Sequence, residues 1–203
     1  MDYLAESILE KVNALPEGTP INAEMLLHLG TRAAIDQSLS RLARRGQLLR
    51  AGRGVYLSPV VTRFGSSAPL VERVIEELSA QRGETIVPSG AASANALGLT
   101  TQVPVRTVYL TSGRTQKLTL GKQVIELQHA PSWQLALAKE PAGEIVRALA
   151  WAGPERAQEV LKEIERKVPR SELQKLNQHV SLFPSWLIRV LCRSDNHTAT
   201  MKV

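Results

Sequence analysis

Residues 31–57 constrain the fold more than any other part of the chain. They read T-R-A-A-I-D-Q-S-L-S-R-L-A-R-R-G-Q-L-L-R-A-G-R-G-V-Y-L. Thr31 is a good N-cap, because its hydroxyl can accept a hydrogen bond from a free N–H of the first helical turn. Ile35, Leu39 and Leu42 follow at i, i+4 and i+7, which predicts a helix over 32–45 with one apolar stripe. Its other side carries Ala33, Gln37, Ser40, Arg41 and Arg44. Gly46 stops it. Gln47–Arg50 and Val55–Leu57 then read as two short strands around the glycine-rich turn Ala51-Gly52-Arg53-Gly54. A helix with a small-polar and arginine face, followed at once by a basic hairpin, is the pattern of a recognition helix and its wing in a winged helix-turn-helix.

The flanking sequence fits that pattern. Tyr3–Leu15 has helical spacing through Leu4, Ile8, Leu9 and Val12. Pro16 to Pro20 breaks it, Asn22 can cap a short helix over Ala23–His28, and Gly30 can take the left-handed conformation of a tight turn. Residues 1–62 therefore form the expected winged domain. Leu57–Ser67, with Pro59 and Gly65-Ser66-Ser67, reads as exit strand and linker. Residues 68–193 form a second, mixed α/β domain, and the polar residues 194–203 a frayed tail.

In that second domain Pro69–Gln81 is a helix and Glu84–Pro88 a strand. Ser89 caps an alanine-rich helix, Gly90–Leu97, whose small side chains suit close packing on a sheet. Arg106–Thr111 is a further strand. Gln116–Leu120 and Gln123–His129 flank Gly121-Lys122, a two-residue hairpin turn that sets Leu118 opposite Ile125. Beyond Pro131 the chain is helical, over 133–138, 143–152, 155–168 and 184–193, with a capping box at Ser171 and Gln174. The fold class is α+β: an N-terminal winged helix-turn-helix, then a mixed domain with a small antiparallel sheet and a helical C-terminal part.

Charge distribution points to the partner. The net charge is +6. Residues 31–63 hold seven arginines (32, 41, 44, 45, 50, 53 and 63) against one acid, Asp36. The rest carries 18 bases and 18 acids, 25 less 7 and 19 less 1. All of the net excess thus sits in one short stretch, 31–63, as a nucleic-acid footprint requires. Arg32, Ala34, Gln37, Ser38 and Arg41 are candidates for base edges, since Arg pairs with guanine, Gln with adenine, and Ala touches a thymine methyl. Thr31 joins them at the helix start. Arg44, Arg45, Arg50 and Arg53 are candidates for phosphates, with Arg53 at the hairpin tip reaching toward the minor groove. Tyr56 braces the wing or donates to a phosphate. The expected partner is double-stranded DNA.

Other classes find less support. No apolar run approaches the ~18 residues of a membrane span, and the acidic start M-D-Y-L-A-E lacks the basic opening of a signal peptide. With Cys192 as the sole cysteine there is no disulfide framework and no thiolate zinc site. The expected location is the cytoplasm, and no cofactor or metal is expected. The only aspartates are Asp2, Asp36 and Asp195. Ile125-Glu126-Leu127-Gln128 thus lacks both the upstream aspartate and the lysine of a magnesium-dependent nuclease. His129 is expected to be structural. The loop Ser112–Lys117 offers Arg114 and Lys117 to a partner's acidic surface. Two alternatives to a repressor remain at this level: a winged domain used only to bind proteins, and a nucleic-acid enzyme, disfavoured by the missing carboxylates.

Three segments carry a family likeness: P-S-G-A-A-S-A-N-A-L-G-L-T-T-Q-V-P at 88–104, V-Y-L-T-S-G-R at 108–114 and L-G-K-Q-V-I-E-L-Q-H-A-P at 120–131. With the winged start, they make the chain resemble the AbiEi-like antitoxins and transcriptional regulators of bacterial abortive-infection systems. The resemblance implies autorepression through the N-terminal domain, with the chain's own promoter, read as an inverted repeat, as the DNA partner. It also implies a C-terminal domain that counters a nucleotidyltransferase-like toxin; an orphan regulator without a toxin would look the same.

Overall fold

A computed structural model describes residues 3–63, 65–102 and 105–200, without the side chains of 194–200. The expected α+β class is what it has. The chain separates into two compact units, Met1–Glu84 with Gln116–Glu126, and Thr85–Thr115 with Leu127–Val203.

The first unit begins with α1 (Tyr3–Asn13), a 3-10 turn at Glu24–Leu26, and α2 (Arg32–Arg44). The Asn22 carboxamide oxygen accepts the Met25 N–H at 3.1 Å, as a cap should. Gly30 was expected in the left-handed region but is not there; the short 3-10 turn closes the connection without it. The hairpin β1 (Leu49–Gly52) and β2 (Val55–Leu57) follows, with Leu49 opposite Leu57, Arg50 opposite Tyr56, and a bulge before Gly52 pairs with Val55. Ile21 adds a third rung: its N–H donates to the Tyr56 carbonyl at 2.8 Å, and the Tyr56 N–H donates back at 2.9 Å. Ile8, Val12, Ile21, Leu26, Ile35, Leu39, Leu42 and Leu48 form one core beneath these elements. Each fully buried aliphatic side chain there contributes roughly 1.5–3 kcal/mol relative to exposure.

Two features of this unit depart from expectation. The stretch taken as linker is a second hairpin, β3 (Val60–Thr62) and β4 (Gly65–Ser67), paired Val60 to Ser67, Val61 to Ser66 and Thr62 to Gly65. Pro59 and the Gly-Ser-Ser run mark its entry and return strand, not a flexible tether. The second feature concerns the helix that follows residues 62–68. Helix α3 (Val71–Arg82) belongs with the N-terminal elements: the Thr19 hydroxyl bonds the Glu77 carboxylate at 3.1 Å, and the Gln81 amide donates to the Pro20 carbonyl at 3.0 Å.

The four-stranded sheet has the order β5-β6-β8-β7, with β5 at Ile86–Pro88, β6 at Thr107–Thr111, β7 at Gln116–Leu120 and β8 at Gln123–His129. β5 and β6 are antiparallel, Val87 opposite Leu110. β7 and the start of β8 fall in the first unit, and the remainder in the second. Leu118, Leu120, Ile125 and Leu127 are buried, so the hairpin has the apolar face its alternation predicts.

In the second unit α4 (Gly90–Ala96) is capped by Ser89, whose hydroxyl accepts the Ala92 N–H at 3.4 Å. It packs on a helix rather than the expected sheet. A Cβ on Gly90 would lie 2.5 Å from the Arg147 carbonyl oxygen and 2.7 Å from the Trp151 Cβ, an approach that only glycine permits. The partner is α6 (Pro141–Lys167), preceded by the short α5 (Ser132–Leu135). Gly153, at φ 76° and ψ 167°, breaks α6 where the sequence separates two helices, and Pro154 opens the second segment.

The C-terminal helices α7 (Arg170–Gln178) and α8 (Ser185–Thr200) complete a core around Ile145, Leu149, Leu161 and Leu187. Trp133 and Trp186 meet edge to face at 6.1 Å. The capping box at Ser171 does not form, because α7 already starts at Arg170 and has no side-chain cap. Glu172 instead accepts the Ala142 N–H at 3.1 Å and pairs with Lys175 at 3.0 Å. The expected frayed tail is helical as far as Thr200, since no Gly or Pro interrupts 185–200; residues 201–203 lie outside the described residues.

Candidate nucleic-acid interface

Thr31 starts α2 from an extended conformation, φ −69° and ψ 150°, and its hydroxyl accepts the Ala34 N–H at 3.4 Å. Its role is to cap. At about 100° per residue, Leu39 stands about +40°, Leu42 about −20° and Ser38 about −60° from Ile35. Those four side chains are the ones α2 buries. Ser38 is only 3% exposed, so this candidate for a base edge presents no hydroxyl to solvent. The apolar stripe is an arc about 100° wide, broader than the i, i+4, i+7 line, and Ser38 falls inside it.

The opposite face is open. Arg32, Ala33, Gln37, Arg41 and Arg44 are exposed, and Ala34 is half-buried at the rim of the arc. Gln37, Arg41 and Arg44 succeed one another at i, i+4 and i+7, a single row along the helix. Arg32 pairs with Asp36 across one turn at 3.5 Å, both side chains more than half exposed. Such a pair is worth about 0–1 kcal/mol, so the guanidinium can leave the carboxylate at small cost.

Beyond the helix, Arg45, Arg50 and Arg53 are exposed. β1 reaches Gly52, so the turn is shorter than expected: only Arg53 and Gly54 lie between the paired residues, with Gly54 at φ +69°. That conformation favours glycine and leaves Arg53 at the tip. Tyr56 is 5% exposed and joined to Ile21 through its backbone. It braces the hairpin and has no ring surface to offer a phosphate.

One neighbour was not foreseen. At Gly52 a Cβ would stand 3.5 Å from the Leu118 side chain and 3.6 Å from the Lys117 carbonyl oxygen. Strand β7 therefore passes beside β1. Only the absent side chain at Gly52 hints at this in the sequence, where a glycine next to a turn has a simpler explanation.

Arg114 and Lys117, the two residues offered to a protein partner, are both exposed. Lys117 pairs with Glu126 at 3.1 Å. The loop between β6 and β7 is firmly held. Thr111 and Thr115 hydroxyls accept the Gly113 and His129 N–H groups at 2.9 and 3.0 Å, and His129 Nδ1 lies 2.7 Å from the Gly113 carbonyl. That carbonyl can only accept, so it selects the Nδ1–H tautomer. Among the described residues no three His, Cys, Asp or Glu side chains converge on a possible metal position, and no helix is long and apolar enough to cross a membrane.

Residues 7–178 match the family DUF6088. The chain belongs to DUF6088, a family of unknown function. The match runs from within α1 to the end of α7, so DUF6088 takes in the candidate interface and most of the second unit but not α8. No curated protein and no solved structure matches the chain.

Proposed function

We propose that this DUF6088 chain is a DNA-binding transcriptional autorepressor whose N-terminal unit is a winged helix-turn-helix. The order of elements supports the winged reading: α1, the Ile21 bridge, the 3-10 turn, α2, then a hairpin to which Ile21 adds a third strand position. The observation that carries the function is the row Gln37, Arg41 and Arg44 on the solvent face of α2, continued by exposed Arg45, Arg50 and Arg53. No carboxylate interrupts residues 37–71. In this reading α2 enters the major groove, Gln37 and Arg41 read base edges, and Arg44, Arg45, Arg50 and Arg53 hold phosphates.

A titration of the full chain with a duplex from upstream of its own gene, beside a scrambled duplex, tests this. Binding should fall steeply with salt, and the upstream duplex should bind about 10³-fold or more tightly than the scrambled one. A flat titration with both at low salt overturns the proposal.

The antitoxin half of the proposal rests on the AbiEi-like segments at 88–131 and assigns toxin neutralisation to the second unit. Coexpression with the neighbouring gene tests it. A neighbour that arrests growth alone and not beside this chain supports the antitoxin role, whereas a harmless neighbour leaves an orphan regulator.

A further inference from the structure

The hairpin β3–β4 has no assigned role. It follows β2 after only Ser58 and Pro59, and its exposure is unusual: Val61 is 83% exposed, Thr62, Arg63, Gly65, Ser66 and Ser67 are all exposed, and Val60 is half-buried. A two-stranded hairpin with no apolar face is marginal on its own. This one is tied at its turn, where the Thr62 hydroxyl donates to the Gly65 carbonyl at 2.9 Å. Thr62 pairs with Gly65, so Arg63 lies at the turn end. Arg63 is also the last arginine of the carboxylate-free run 37–71. The second hairpin thus shares with the first an arginine at its turn, and adds the Ser66 hydroxyl.

We propose that β3–β4 is a second DNA-contacting wing, with Arg63 holding a backbone phosphate on the same duplex as Arg53. Guanidinium and hydroxyl donors without base-reading amides are the set that positions a protein on phosphates. The spacing allows it. Arg63 lies nine positions after Gly54, so the two turns are at most ~32 Å apart along the chain. A helical turn of duplex is ~34 Å, and both tips therefore fall within one turn of the same DNA. The hairpin's exposed surface is then covered by the duplex flank.

This inference rests on the DNA-binding proposal, and its test separates the two. Full-length wild type, Arg53→Ala, Arg63→Ala and Arg63→Lys are titrated with the upstream duplex from 50 to 200 mM salt and footprinted with hydroxyl radical. One lost phosphate contact lowers the log–log salt slope by about 0.9, so the affinity change over this fourfold range should shrink by about 3.5-fold for Arg63→Ala. Protection should also retract at one flank, and Arg63→Lys should keep the wild-type slope. If Arg63→Ala matches wild type in slope and footprint while Arg53→Ala does not, the second wing is refuted and the DNA-binding proposal stands. If Arg63→Ala instead changes the sedimentation mass of the free protein with an unaltered slope, the hairpin is a contact between copies and the inference fails. No wild-type binding at 50 mM salt removes both.

Discussion

Replacing Gly90 by alanine should destabilise the second unit although alanine is the better helix former. The added Cβ would stand 2.5 Å from the Arg147 carbonyl oxygen and 2.7 Å from the Trp151 Cβ. Ordinary contact begins near ~3.4 Å, so α4 would have to retreat from α6 by roughly 0.9 Å. Neither neighbour can swing aside, since one is backbone and the other is fixed to it. Overpacking of this kind costs about 1–3 kcal/mol. The usual gain of about 0.5–1 kcal/mol for Gly→Ala in a helix interior is reduced here, because Gly90 occupies the first position of α4. A net loss of about 2 kcal/mol corresponds to a midpoint lower by roughly 4–8 °C in a chain of this size. Calorimetry of Gly90→Ala beside Ala96→Gly provides the comparison, since Ala96 is exposed on the same helix and its replacement costs only propensity. A Gly90→Ala protein that melts no lower than Ala96→Gly would refute the argument from close approach.

Three other outcomes follow. Arg147 is 1% exposed, its Nε donates to the Ser93 hydroxyl at 3.3 Å, and among the described residues its Nη1 finds no partner. Burial pushes its pKa down and nearby Glu144 partly restores it. Ser93→Ala should therefore cost about 1–3 kcal/mol by stranding a buried guanidinium, whereas Arg147→Met should be near neutral or stabilising; urea melts with the opposite ranking would show that the guanidinium sustains the packing. Lys175 is held by Glu140 and Glu172, whose hydrogen bonds raise its pKa above the ordinary lysine value of 10.5. A raised folded value means the stabilisation is complete below that pH and lost as pH climbs through the folded value, so the midpoint gap between wild type and Lys175→Met should hold from neutral pH to about 10 and close in stronger alkali; a gap already closing near pH 8 contradicts it. Finally, Gln37→Ala should relax preference at one base pair by about 1–3 kcal/mol, while Ser38→Ala should leave selectivity as it was. Competition with single-site operator variants would count against the helix orientation if Ser38→Ala alone changed the preference.

Local signals were legible in the chain and tertiary ones were not. The Thr31 cap and Gly46 fixed α2 to within a residue, and the Gly121 turn fixed β7 and β8 at their observed ends, because each signal acts on its own few neighbours. The burial of Ser38 was misjudged because a small hydroxyl within an apolar arc reads as polar in isolation. Gly90 was recognised as part of a close-packed helix, but its partner was placed in a sheet; nothing in G-A-A-S-A-N-A distinguishes a helical neighbour 50 residues away from a strand. The attachment of α3 to the N-terminal elements was not legible for the same reason, since Thr19–Glu77 and Gln81–Pro20 span about 60 positions of sequence.

That same contrast bears on the candidate interface. The features that make it basic are local: a capped helix, a two-residue turn, and a run without carboxylates. The features that hold it in shape are remote: Ile21 across to Tyr56, α3 against residues 19–20, and β7 alongside Gly52. Removing residues 68–203 to isolate a DNA-binding fragment would thus take away α3 and the β7 strand that flanks the hairpin. A fragment ending at residue 84 retains α3 but still loses β7, uncovering the Gly52 side of β1 that Leu118 and Lys117 flank. If the proposal holds, DNA binding should therefore require the whole first unit, in which residues 116–126 are structural partners of the first hairpin.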